Sequence, residues 1–160
     1  MSERNQIRVR TEKKHKMLYS DLKQLSLGEA HTVFFIATCI GYEAGKKQAF
    51  LSREDRFWGS TITNDEWAIY QSIFLSEEGN DNLQVITDDE QIIRRMEEYA
   101  NGGINIILEE LSLCFDKHDD GEVIVKKSEK ENLLPRLLGF IYERVPQNTA
   151  MERNNESATD

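Results

Sequence analysis

The spacing of apolar residues along this chain changes several times, and each change marks an element. In QIRVR, residues 6–10, polar and apolar positions alternate, with Ile7 and Val9 on one side. That alternation predicts a short strand. Met17, Leu18, Leu22 and Leu25 then recur at helical spacing, which predicts a helix over 12–25, broken by SLGE at 26–29. A second helix, over 30–45, carries Val33, Phe34, Ile36, Ala37, Ile40 and Ala44. It is apolar around much of its circumference, so it should be the central buried helix. Residues 46–63 lose periodicity and read as an ordered loop anchored by Phe50, Phe57 and Trp58. Thr63 or Asn64 starts the next helix, with Asp65 and Glu66 in its first turn, the sign a helix N-terminus favours. Its apolar face holds Trp67, Ile69, Tyr70, Ile73 and Phe74, and EEGND at 77–81 ends it.

NLQVI, at 82–86, is a short strand or an extended link. Thr87 and Glu90 fit a capping box that opens a long helix. Within that helix Gly102 and Gly103 are adjacent, and each costs a helix interior about 1 kcal/mol relative to alanine. Yet Ile93, Met96, Ala100, Ile104, Ile107, Leu111 and Phe115 keep spacings of 3, 4, 4, 3, 4 and 4 across the glycines. One continuous, bent helix is favoured over a C-cap at Asn101–Gly102 with a second helix from 103. Gly103 falls within the apolar stripe beside Ala100, and Gly102 falls at its edge. Small residues there would let another helix, that of 30–45, approach closely.

Beyond Phe115, DKHDDG is a turn-rich loop, EVIV at 122–125 a strand, and SEKE at 128–131 another capping box. Leu133, Leu137, Leu138, Ile141 and Tyr142 form a last helix, which Pro135 begins or kinks. Residues 147–160 hold almost no large apolar side chain and are expected to be disordered. The chain thus reads as mainly α, one compact helical domain over 1–146 with short β-strands.

Composition sharpens this picture through charge. The 160 residues are 31% charged with a net charge of −9. Residues 1–56 carry 11 Lys/Arg against 7 Asp/Glu, a net +4, whereas 57–160 carry 9 against 22, a net −13. Such a split suggests a basic end that meets nucleic acid or an acidic partner; a solvated N-terminus is the plainer reading. The longest apolar run, VFFIATCI at 33–40, has eight residues, far below the ~20 that span a bilayer. No secretory pattern is visible. Cys39 and Cys114 read as buried, reduced thiols of a cytoplasmic protein.

Several sites almost form. GYEAGKK at 41–47 has three residues between its glycines and Lys47 where a P-loop needs a hydroxyl, so a phosphate loop could neither wrap nor hold magnesium. DKHDDGEVIVKK at 116–127 imitates a calcium loop but ends on Lys127 where the bidentate Glu belongs. Asp116, Glu122 and Lys126 suggest a nuclease, but Asp116 precedes the strand and the acid-to-lysine spacing of four places Lys126 about 13 Å from the acid along a strand. His15, His31 and His118 lie in separate segments, so zinc is improbable. No GxSxG motif exists, and the pairs Asp88–Asp89, Glu97–Glu98 and Glu109–Glu110 read as solvated helix faces. No cofactor, metal or catalytic set is expected.

The basic front end carries the most informative order: strand 6–10, helix 12–25, a glycine-containing turn, helix 30–45. That is the order of a ribbon-helix-helix unit, in which two chains pair their strands into a ribbon for the major groove. Residues 5–47 would form it. Gln6, Arg8 and Arg10 would face outward, with Lys13, Lys14 and Lys16 beside the backbone, and a homodimer would follow. A non-specific phosphate contact or an acidic-protein contact by the same residues is the other reading.

RVRTEKKHKMLYSDLK, VFFIATCIGYEAGKK and MEEYANGGINIILEEL, in that order, resemble the DNA phosphorothioation-associated protein 4 family over roughly 4–112. The resemblance implies a bacterial Dnd setting, in which sulfur is placed in the DNA backbone and unmodified DNA is restricted. It brings no catalytic residues. The expectation is therefore a non-enzymatic accessory protein of an anti-phage modification–restriction system, binding DNA or a larger system protein through its basic N-terminal unit. The alternative is a protein-binding adaptor or small oligomer, in which the aromatic loop at 50–58 matters more than the arginines; a nuclease with an unrecognised site is less favoured.

Overall fold

A computed structural model describes residues 3–25, 27–79 and 83–144. In chain order these form β1 (Arg8–Glu12), α1 (Lys16–Gln24), α2 (Ala30–Glu43), β2 (Arg53–Trp58), α3 (Asn64–Glu78), α4 (Asp89–Glu110), β3 (Phe115–Lys117), β4 (Val123–Val125) and α5 (Lys130–Arg144), with short 3-10 turns between several of them. The fold is mainly α. Two antiparallel two-stranded sheets, β1–β2, joined through α1 and α2, and the β3–β4 hairpin, are its only sheets among the described residues.

The two longest apolar patterns become the central pair, α2 and α4. Both glycines of α4 lie inside one continuous helix. A Cβ added to Gly103 would lie 1.8 Å from the Ala37 carbonyl oxygen of α2, and one added to Gly41 of α2 would lie 2.0 Å from the Tyr99 carbonyl oxygen of α4. The two backbones therefore touch, which only glycine at each crossing point permits. Gly102 serves a different neighbour: its Cβ would lie 2.1 Å from the Lys46 carbonyl oxygen, in the segment that follows α2.

That segment begins where α2 ends. The Lys46 N–H donates to the Gly41 carbonyl at 2.8 Å and the Gly45 N–H to that of Tyr42 at 3.0 Å, with Gly45 at φ +64°. This is the paired bond pattern of a Schellman cap, for which the left-handed glycine is needed. The sequence that imitated a phosphate loop is thus a helix stop, and Gly41 is a packing residue.

Around this pair, Phe34 meets Phe57 and Tyr70 edge-on, and Trp67 meets Tyr70 in the same way. Val9, Leu18, Ile92, Ile93, Met96 and Leu133 complete the main core. Thr63 caps α3 with Glu66 in a reciprocal capping box. The cap of α4 is Asp88, which accepts from Gln91 N–H, rather than Thr87; residues Leu83–Thr87 wind into a 3-10 turn instead of a strand or link. Pro135 sits inside α5, and Ser128 lies in a turn ahead of that helix. The expected tail at 147–160 falls outside the described residues.

The front end shows the expected order of strand, helix and helix, but the strand finds its partner within the chain. β2, hidden in the stretch read as a loop, pairs with β1 through Arg8↔Trp58, Val9↔Phe57 and, beyond an irregularity after Val9, Arg10↔Asp55 and Glu12↔Arg53. On the other edge the Arg10 N–H donates to Glu97 Oε1 at 2.8 Å, and the Arg8 carbonyl accepts from Arg94 at 3.2 Å. A ribbon between two chains would need those same groups, so β1 offers no free edge there for one.

Candidate interaction surface

The five cations singled out at the front end separate into two groups. Arg8 stacks over the Trp58 ring at 4.4 Å and pairs with Asp55 at 3.5 Å. Arg10 turns inward: its guanidinium and its own N–H all reach Glu97, whose side chain is 2% exposed. Glu97 also takes a bond from Arg94. Burial raises the Glu97 carboxyl above its ordinary range, although the bonds and charges of Arg10 and Arg94 oppose it. The pair Glu97–Glu98 is therefore not a solvated face: Glu97 is the buried tie between α4 and β1, and only Glu98 looks outward.

Lys13, Lys14 and Lys16 follow β1 and form no ion pair among the described residues. They line one wall of a cleft of about 550 Å³ whose other residues include Glu54, Asp120 and Glu122. The acidic loop between β3 and β4 thus faces the basic cluster. A second cleft, of about 520 Å³, is lined by Arg10, Arg53, Arg94, Glu97 and Glu98. Leu51 lines both, and its side chain is 86% exposed.

The strap that carries Leu51, residues 46–52, is held by buried polar groups that the sequence did not flag. Asn101, 4% exposed, donates from its Nδ2 to the Gln48 and Ala49 carbonyls, and the Gln48 N–H donates to the Glu98 carbonyl at 3.0 Å. Glu12, also 4% exposed, accepts from Leu51 N–H at 3.1 Å and Ser52 N–H at 2.7 Å. The Lys13 N–H donates to the Ser52 carbonyl. Asn101 lies in the Asn-Gly-Gly landmark, so a signal was present; Glu12 looked like one acid among basic neighbours.

The remaining near misses resolve as structure. His118, Asp120 and Gly121 turn the β3–β4 hairpin, with Gly121 at φ +87°. That hairpin brings Lys126 Nζ to 3.8 Å from Asp116, because the two lie on facing strands and not along one. The along-strand spacing concerned Glu122, four residues before Lys126, and did not foresee this contact; Asp116 and Lys126 form an ion pair, and among the described residues no group of three metal-ligating side chains assembles. His31 Nδ1 lies 3.0 Å from Glu66, which already caps α3. Both cysteines are free; Cys114 is buried, whereas Cys39 is only half-buried, and burial pushes its thiol up to about 11, away from nucleophilic use. Among the described residues no helix is long and apolar enough to cross a membrane.

The model of a family described as DNA sulphur modification system-associated protein 4 matches residues 8–135. That span holds both sheets, the strap and the crossing of α2 with α4. No curated protein matches the chain. No solved structure matches it either.

Proposed function

The chain belongs to the DNA sulphur modification system-associated protein 4 family, and from that premise we propose that it serves such a system without catalysing a reaction, by docking on another system protein in the cytoplasm. The docking surface is the β1–β2 sheet with the strap that leads into β2. One observation carries this reading: Trp58 is 48% and Leu51 86% exposed on a surface whose arginines Arg8 and Arg10 are already tied to Asp55 and Glu97. Exposed aromatic and large apolar side chains among Arg and mixed charge are the composition of protein interfaces. A groove reader would instead leave its arginines free for phosphates and base edges.

A second reading has its own support. Lys13, Lys14 and Lys16 lack ion-pair partners among the described residues, and free lysines suit phosphate contacts. Against it stands the acidic wall of the same cleft, Asp120 and Glu122. Binding of the purified system proteins and of modified and unmodified duplex to the full chain, each at low and high salt, separates the two. Protein binding that persists at high salt and falls on Trp58→Ala supports docking. Duplex binding that collapses with salt and with Lys13→Ala/Lys14→Ala/Lys16→Ala supports the DNA reading in its place.

A further inference from the structure

The charges around the larger cleft are not used up in ion pairs, and those left over stand on two walls. Of the acids that line it, Glu12 is engaged by the N–H groups of Leu51 and Ser52, and Glu54 pairs with Arg56 at 3.1 Å. Asp120 and Glu122 have no cation partner among the described residues, and Lys13, Lys14 and Lys16 on the facing wall have no anion partner. Both walls are held in place. The β3–β4 turn is closed by the Gly121 N–H on the His118 carbonyl at 2.8 Å and by the Glu122 N–H on Asp120 Oδ1 at 2.9 Å. The hairpin is tied to α1 by the Val125 N–H, which donates to Asp21 at 3.1 Å. The lysines stand on the turn Lys13–His15 and on the first residue of α1, where the helix dipole disfavours cations. Helix stability therefore does not account for them.

We propose that Lys13, Lys14 and Lys16 form a latent site for the phosphate backbone of duplex DNA, and that Asp120 and Glu122 are its built-in electrostatic mask. The inference goes beyond the docking reading and holds with or without it. Three lysines within a run of four residues suit successive phosphates, whose binding is driven by charge and by counterion release. A phosphate that enters the cleft meets the two carboxylates of the far wall as well. A space of about 550 Å³ is on the order of 8 Å across, comparable with the ~8 Å Debye length at physiological salt, so salt does not hide those carboxylates from it. The mask requires no movement of the loop. The cleft stays open, and the opposing charges lower the positive potential that would draw a polyanion in. A chain masked in this way stays off bulk duplex, and neutralising two side chains is enough to expose the lysine wall.

The test uses the full chain and fluorescence anisotropy of a labelled duplex, from low to high salt. Wild type is compared with Asp120→Asn/Glu122→Gln, with the same variant carrying Lys13→Ala/Lys14→Ala/Lys16→Ala, and with Glu131→Gln/Glu143→Gln, which removes two exposed acids elsewhere. The amide oxygen introduced by Asp120→Asn still accepts from the N–H at 122, so the turn is kept, and circular dichroism checks the fold. Glu122→Gln alone leaves that acceptor untouched and serves as the second variant. Wild type should bind weakly. The unmasked variant should bind about 10-fold tighter at low salt, as expected for removing two like charges from the path of several phosphates. Removing the lysines should abolish the gain and flatten the slope of log affinity against log salt by about 3. An unchanged affinity in the unmasked variant overturns the inference, as does tight binding by wild type. An equal gain from Glu131→Gln/Glu143→Gln would show that net charge alone is at work, and a gain that survives loss of the lysines would place the contact elsewhere. Polyglutamate serves as the competing probe: if the unmasked variant binds it as tightly as duplex, the wall is one for acidic proteins and the phosphate assignment falls.

Discussion

Gly103 shows how much one hydrogen atom in place of a methyl can decide. Gly103→Ala places a carbon 1.8 Å from a backbone oxygen of α2, which no side-chain rotation relieves. The helices must move apart, and overpacking of this kind costs about 3 kcal/mol. Gly139, in the exposed part of α5, has nothing within reach of an added Cβ, so Gly139→Ala should stabilise by roughly 0.5–1 kcal/mol. Thermal unfolding of the two variants beside wild type checks the contrast; equal melting temperatures would refute the backbone contact. The phase of the apolar stripe made Gly103 legible in the sequence. Gly41 was not legible, because its spacing suggested a helix end and only the partner helix reveals its use. His15 was equally hidden. It is 1% exposed with an unpartnered Nε2, and burial, aided by Lys14 and Arg56, lowers it from 6.5 to about 4. Its folded state disfavours the charged ring, so stability is full above pH 6.5 and falls as pH drops through 6.5 to about 4, by about 3 kcal/mol in all. Urea midpoints across that window should fall less for His15→Leu than for wild type; parallel curves would show that His15 is not the titrating group.

Some element boundaries followed local signals with a mechanism: α3 starts after Thr63, as its first-turn acids suggest, and α2 stops at its glycine. The capping boxes expected at Thr87–Glu90 and 128–131 are not the caps: Asp88 caps α4, and Ser128 lies in a 3-10 turn. β2 escaped detection because REDRFW has no clean alternation; its pairing with β1 depends on a partner more than 40 residues away in sequence, which periodicity cannot see. The same holds for Glu97, an acid among acids until Arg10 and Arg94 close on it. The strap tests whether such distant ties matter. Asn101→Ala removes two bonds to its carbonyls and should cost about 1–2 kcal/mol. Amide exchange of residues 46–52 should quicken while α4 stays protected. Unchanged exchange in the strap would mean that Asn101 does not anchor it.

The charge split between the two halves was read correctly as a number and less well as a surface. Folding brings the acidic β3–β4 loop opposite Lys13, Lys14 and Lys16 and places Arg10 on a buried glutamate, so the basic end is not a basic face. What remains outward on β1, β2 and the strap is a mixture of Trp58, Leu51 and both signs of charge. That mixture is the observation on which the docking proposal rests. The most direct test is a parallel titration of the full chain with purified system proteins and with duplex, from low to high salt. Docking predicts a protein complex that survives high salt and is lost with Trp58→Ala, beside duplex binding that is weak throughout. A tight duplex complex that dissolves as salt rises, with no system protein bound, would contradict it.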